Sequence, residues 1–308
     1  MNKRQKQVQK SLLNDEMEVL NAIENAYKDA IDGVDKVLLE LLARKDIQNL
    51  QSIIYQIKWQ EHIKKELKIY LDELQNKNYT TIDEYLQHCY ENAHIGTLFD
   101  LQGQGVPLII PLDQEQIISS VTLNSKLSQP LYNSLGYNTE VLKLDLTREL
   151  SRGVAQSLTY KEIARNIQNT CGVDKNKAMR IAKTEGHRIS QEATYNVQKK
   201  AKERGADIVK QWDSTLDGKT RDSHRAVDGE DRELEEKFSN GLMFPSDPNG
   251  TAGEVINCRC ALLQRAKWAL SDEQFTKQAR INGKNELQHF ESISDYNKFK
   301  EAFWGVNK

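Results

Sequence analysis

The chain has little of what staples or stiffens small secreted folds: five prolines and four cysteines in 308 residues. Cys89, Cys171, Cys258 and Cys260 are too few and too unevenly spread to frame a disulfide scaffold, a usage that fits a reducing compartment. Long apolar runs are also missing. The densest, Val106 to Leu112, is short and holds Pro107 and Pro111, so no membrane span is expected. The basic start MNKRQKQVQKSLLND lacks the apolar stretch of a signal peptide, and secretion by that route is not expected either. Neither sign of charge dominates, since 43 Lys and Arg against 45 Asp and Glu leave a net charge of −2. Any basic binding surface must therefore be local. With 38% hydrophobic and 29% charged residues, the composition suits extended helical structure better than one large enzyme core.

What the chain does have is helical periodicity. From Ser11 to Asn76 there is no proline and one glycine, and Leu12, Val19, Ile23, Ala26, Ala30, Val37 and Leu41 recur at steps of three and four. Ile47, Leu50, Ile54, Ile57, Ile63, Leu67, Tyr70 and Leu74 continue the pattern, which predicts a long N-terminal helical hairpin within a helical region 1–95. Residues 96–144 read as an irregular linker. There the Val106 to Leu112 string is extended or an edge strand, and short helices cover about 113–119 and 139–152.

A helix with Thr159 as N-cap and Glu162 in its first turn is expected to stop at Cys171-Gly172, and a second to run from Asp174 to Arg204 before Gly205. Beyond it the texture changes. Ile208 to Trp212 alternates like a strand, Val255 to Leu263 reads as another, and Asp217-Gly218, Asp228-Gly229 and Pro245 to Gly250 mark turns. The fold expected is mainly α with a small C-terminal α+β module. One domain spans 145–265, helical over 145–205 and α+β over 206–265, and a polar helical tail follows at 266–308.

Chemistry concentrates in that module. If Cys258 and Cys260 lie on a strand, the two-residue period puts both thiols on one face with α-carbons roughly 6.6 Å apart. A disulfide there would be strained, and three readings stand side by side: a zinc clip with His224 and an unnamed fourth ligand, a buried reduced pair beside a core histidine, or a redox-labile pair. A zinc deaminase is not expected. His224 is followed by Arg225-Ala226 with no glutamate two positions on, and the cysteines are Cys-x-Cys without a preceding proline. No phosphate loop, nucleophile elbow or paired-histidine zinc motif is present.

The run Arg180-Ile181-Ala182-Lys183-Thr184-Glu185, then Arg188, Ala193, Trp212, Asp217, Thr220-Arg221, His224, Asp228-Gly229, Phe244, Pro245, Pro248 and Asn257-Cys258-Arg259-Cys260, resembles the phage head-morphogenesis (Mu F-like) minor head protein family. Lys183 departs from the arginine common there and loses its planar pairing. The resemblance implies a non-enzymatic structural protein of the tailed-phage head interior, made in the host cytoplasm. It would act in head assembly, and in DNA ejection, through portal, scaffold or capsid contacts. Some relatives continue into a toxin domain, for which the residues after Arg265 are too few.

Two further features carry alternatives. Glu185 and Arg188 form an ordinary ion pair on one helix face, or Glu185 reaches Arg221 and His224 and locks the module to the helix. Lys199, Lys200, Lys202 and Arg204 complement a helix C-terminus, or form a weak, sequence-independent DNA contact of an ejection protein.

Overall fold

A computed structural model describes residues 1–42, 53–106, 108–122, 160–267, 275–281 and 284–290, with isolated positions at 141–142, 144–145, 148 and 298. Helix α1 (Lys3–Leu42) begins well before the expected Ser11. Asn2 caps it, Oδ1 accepting the backbone N–H groups of Arg4 and Gln5 at 2.9 Å each. Helix α2 (Ile53–Gly103) returns antiparallel, as expected of a hairpin: Asn2 meets Asp100, Asp15 meets Asn92 and Asp29 meets Lys77. The expected boundary at 95 falls inside α2. Gly96 does not break the helix, and it lies where α1 approaches closely; a Cβ there would collide with the Val8 side chain.

After α2, Gly105 takes φ +79° and residues 108–113 form neither helix nor strand. The edge-strand alternative is thus corrected to unpaired chain. It is anchored by Ile110, which is buried and whose carbonyl accepts from His94 Nε2 at 2.9 Å. Asp113 opens α3 (Gln114–Thr122), its Oδ1 accepting the N–H of Glu115 at 3.1 Å. Within the expected 139–152 helix, the described positions are helical.

Helix α4 (Tyr160–Glu203) is continuous. The expected stop at Cys171-Gly172 is therefore a misreading: one helical glycine costs about 1 kcal/mol, too little to end a helix of this length. Thr159, the expected cap, lies outside the described residues. The C-terminus is as expected, with Gly205 at φ +89° and the Ala206 N–H bonded to the Ala201 carbonyl at 3.0 Å.

The α+β module follows. Strands β1 (Ile208–Asp213), β2 (Asp231–Arg232) and β3 (Ala261–Ala266) form an antiparallel sheet in the order β2-β1-β3, with Lys210 opposite Arg232 and Gln264. Single-turn helices α5 (Asp222–Ala226) and α6 (Ala252–Val255) sit in its connections. The second strand expected at 255–263 is displaced. Val255 ends α6, Asn257 turns the chain at φ +57°, and β3 begins at Ala261.

The helical tail is also corrected. Strands β4 (Phe275–Ile281) and β5 (Lys284–Phe290) pair antiparallel, from Phe275 opposite Phe290 to Ile281 opposite Lys284. The residues between them in sequence, Asn282-Gly283, are a strong two-residue hairpin signal that outweighs the polar composition of the flanks.

The chain divides into two compact units, one of Met1–Met17, Tyr85–Gln129 and Lys183–Lys308, the other of Glu18–Glu84 and Pro130–Ala182. The second unit buries the α1 stripe Val19, Ile23, Ala26, Tyr27 and Ala30 with Leu71, Leu74 and Ile82 of α2 and Ala178, Ile181 and Ala182 of α4. The first contains the three-stranded sheet and, among its described residues, an apolar cluster of Met1, Ala261 and Leu263 beside two larger ones. One joins Leu101, Ile110, Val197, Ala201, Ile208 and Leu234; the other surrounds Trp212.

Candidate functional site

Trp212 is fully buried at the centre of the module, with His224 and Phe238 edge-on at 5.1 and 5.2 Å between ring centroids. Its indole N–H donates to Ser214 Oγ at 3.1 Å, and Ser214 Oγ donates to the His224 carbonyl at 2.7 Å. The loops are held the same way. Asp228 Oδ1 accepts the Ser214 N–H at 2.7 Å, while Gly229, at φ +80°, donates its N–H to the Trp212 carbonyl at 2.8 Å. Asp217 accepts from the Lys219 N–H at 2.9 Å and Thr220 Oγ1 at 2.8 Å and pairs with Arg259. Arg221 donates to the Ile256 carbonyl at 2.5 Å. Each of these sequence-selected residues therefore fixes a turn around one buried ring.

His224, Cys258 and Cys260 converge as expected, but not by strand alternation. Both cysteines precede β3, and the turn at Asn257 carries them toward α5. His224 Nδ1 lies 3.4 Å from Cys260 Sγ and 3.7 Å from Cys258 Sγ, and the three donor atoms lie within 4.8 Å of one another. All three residues are buried. Cys258 is held well below the usual thiol range by the hydrogen bond from Cys260, with His187 and His224 adding to it. Burial holds Cys260 well above that range.

Sequence reasoning missed two residues here. Glu254 Oε2 lies 2.7 Å from His224 Nε2, and both its oxygens accept from Ser223 Oγ. Thr251-Ala-Gly-Glu254 has the spacing of a helix capping box, but the Thr251 side chain makes no cap hydrogen bond and Glu254 turns to the histidine. His187 of α4 lies between Thr184 and Gln191, which bond to Asn257 and Leu262, and its Nε2 is buried with no hydrogen-bond partner. A signal for it existed in the position of His187 one helical turn from Thr184.

One face of α4 meets the segment leading into β3. Thr184 Oγ1 accepts the Asn257 N–H at 3.3 Å, Gln191 Oε1 accepts the Leu262 N–H at 2.6 Å, and Gln198 Nε2 donates to Gln264 Oε1 at 3.3 Å. The seven-residue spacing keeps these three side chains on one stripe. Another face holds Arg188, which donates to Glu185 at 3.0 Å, to Glu192 at 2.7 Å and to the Ser120 carbonyl at 2.8 Å. The Glu185 and Arg188 side chains are fully buried, so theirs is an interior ion pair rather than a surface one.

The four basic residues at the end of α4 are placed differently from one another. Lys200 donates to Gln116 at 2.9 Å, Lys202 donates to Glu233 and Glu235 at 2.9 Å each, and Arg204 donates to the Ile109 carbonyl. Lys199 is exposed, its ammonium 5.8 Å from the Tyr195 ring centroid.

Residues 145–263 match the family described as Phage Mu protein F like protein. The chain is 26% identical over 312 aligned residues to the NAD(+)–arginine ADP-ribosyltransferase EFV of Enterococcus faecalis, covering 96% of this chain and 60% of that protein. It is 27% identical over 128 residues to minor head protein GP7 of Bacillus phage SPP1, covering 39% of this chain and 41% of that one. The chain thus spans less than two thirds of either relative. No solved structure matches it. The segment that matches the Phage Mu F-like family is the one that carries α4, the Trp212 core and the Cys-x-Cys turn.

Proposed function

We infer that this chain is a structural component of a tailed-phage head. The observation that carries the reading is the ordered motif set from Arg180 to Cys260, which falls within the family match and whose Trp212, Phe244, Cys258 and Cys260 share one buried core. The likeness to a phage minor head protein points the same way. The described part of the protein is dominated by long helices, which suit reach and docking between larger assemblies. No described helix is long and apolar enough to cross a membrane.

In this reading the protein enters the prohead from the host cytoplasm in few copies through portal, scaffold or capsid contacts, and resides in the virion interior. Quantitative mass spectrometry of purified proheads and virions tests it. The protein is expected at a small fraction of the major capsid protein and in portal pull-downs, and absence from both particles would overturn the assignment.

A second reading, a DNA-binding ejection protein, draws on Lys199 and the basic N-terminal residues Lys3, Arg4, Lys6 and Lys10. Partners of Lys200, Lys202 and Arg204 reduce the charge they offer to phosphate. The expected behaviour is weak retention on DNA at low salt that falls steeply as salt rises. Tight, base-selective binding near physiological salt would contradict it, since that requires a base-reading element neither reading contains. The transferase activity in the name of the enterococcal relative is not carried over, because this chain spans 60% of that protein. Labelled NAD incubated with the purified chain and an arginine-rich acceptor is expected to leave the acceptor unmodified.

A further inference from the structure

We propose that His187, His224, Cys258 and Cys260 form a four-ligand structural zinc site that ties the α+β module to helix α4. Three donor atoms already converge: His224 Nδ1 and the two sulfurs lie within 4.8 Å of one another on buried residues. Two thiolates and an imidazole are the donor set of structural zinc.

The surroundings match those of a metal-ligating histidine. Such a histidine presents one ring nitrogen to the metal and engages a carboxylate with the other, which fixes its orientation. His224 has this arrangement, Nδ1 facing the sulfurs and Nε2 2.7 Å from Glu254 Oε2. Glu254 is steadied in turn by Ser223.

The fourth ligand comes from the register of α4 against the β3 approach. Thr184 is bonded to Asn257 and Gln191 to Leu262, so the helix face between them lies along residues 257–262. His187 is three residues after Thr184 and four before Gln191, the spacing of one helical stripe. That register places His187 facing residues 257–262, and its Nε2 is buried with no hydrogen-bond partner. A metal satisfies this nitrogen and both sulfurs at once. Loading then releases the remaining thiol protons, and binding free energy becomes folding free energy of the module.

The test uses the full chain, purified under reducing conditions from zinc-supplemented cells without a histidine tag or chelator. Elemental analysis is expected to give about one zinc per chain. After chelation, titration with Co²⁺ should produce the thiolate-to-cobalt charge-transfer and tetrahedral ligand-field absorption of a Cys₂His₂ site. Chelation should also open residues 206–265 to protease. His187→Ala is expected to keep the charge transfer of two thiolates, shift the ligand-field bands and weaken Zn²⁺ binding at least tenfold. A wild-type chain that is folded, reduced and takes up neither Zn²⁺ nor Co²⁺ at micromolar metal overturns the site. A disulfide between Cys258 and Cys260 in protein handled with free thiols blocked does so as well. Unchanged affinity and spectrum in His187→Ala overturn the assignment of the fourth ligand. Because the wild-type titration needs no substitution, a variant that fails to fold leaves the test intact.

Discussion

Glu254 Oε2 and His224 Nε2 are 2.7 Å apart, joining the α6 and α5 turns across the Trp212 core. This contact holds the histidine whose other nitrogen faces both cysteines. Removing the carboxylate with Glu254→Ala is expected to cost about 1–3 kcal/mol, the loss of a partly buried charge-assisted bond. Glu254→Gln, which still offers an oxygen, should cost less. Urea unfolding followed by Trp fluorescence reads the difference, and equal effects of the two substitutions would contradict it.

Arg188 is the hub of an interior network with Glu185, Glu192 and the Ser120 carbonyl. Arg188→Ala should destabilise by about 3–5 kcal/mol, because it strips the counter-charge from buried carboxylate. Arg188→Lys should restore only part of this, since one ammonium cannot span three acceptors with a planar fork. Thermal melts of the three proteins check the order.

Lys210, fully buried in β1, donates to the Leu234 carbonyl at 3.1 Å and the Met243 carbonyl at 2.9 Å. Burial lowers its pKa to about 8, partly opposed by Glu235 and Asp247. Between that value and the ordinary 10.5 the unfolded chain holds a proton the folded chain has released, so this group makes stability rise with pH in that window. Urea midpoints for wild type should therefore gain relative to Lys210→Met between pH about 8 and about 10.5. A constant difference between the two proteins across that range would refute the assignment.

Asp100 is buried and accepts from the side-chain amides of Asn2 at 2.6 Å, Gln5 at 2.9 Å and Gln104 at 2.7 Å, and from Gln264. Asp100→Asn sets an amide N–H₂ against other amide donors and is expected to cost at least about 2 kcal/mol. Hydrogen exchange should show faster opening of β3 than in wild type. No change in exchange there would show that the carboxylate is not the anchor of this network.

The hairpin of α1 and α2 was legible because its signal is local: apolar residues every three or four positions and no proline. So were the C-cap at Gly205 and strand β1, each marked by a neighbouring turn residue. The misreadings share a cause. Gly96 and Gly172 were weighed as breakers, whereas one glycine is a small cost that a long helix absorbs, and at Gly96 the missing side chain admits another helix. The β4–β5 strands were hidden because polar composition outweighed the Asn282-Gly283 signal. In the site, the histidine and cysteines stood out by residue type, but Glu254 and His187 did not. Their importance comes from being folded against residues 30 or more positions away, which no local pattern records.

The stripe of Thr184, Gln191 and Gln198 and the carboxylate of Asp100 also dictate an order of events during synthesis. Gln5 donates to the carbonyl of Gln264 at 3.0 Å, across 259 positions of sequence. The ribosome therefore releases α1, α2 and α4 before the strand that accepts their polar groups exists. Until β3 emerges, these helices carry amides and a carboxylate with no native partner on that side, and β1 lacks the strand it pairs with along its whole length. Closure of so distant a contact is slow compared with helix formation. The nascent chain is consequently a client for holding factors through most of its translation, and truncation within β3 should yield a helical but adhesive species rather than a smaller folded protein.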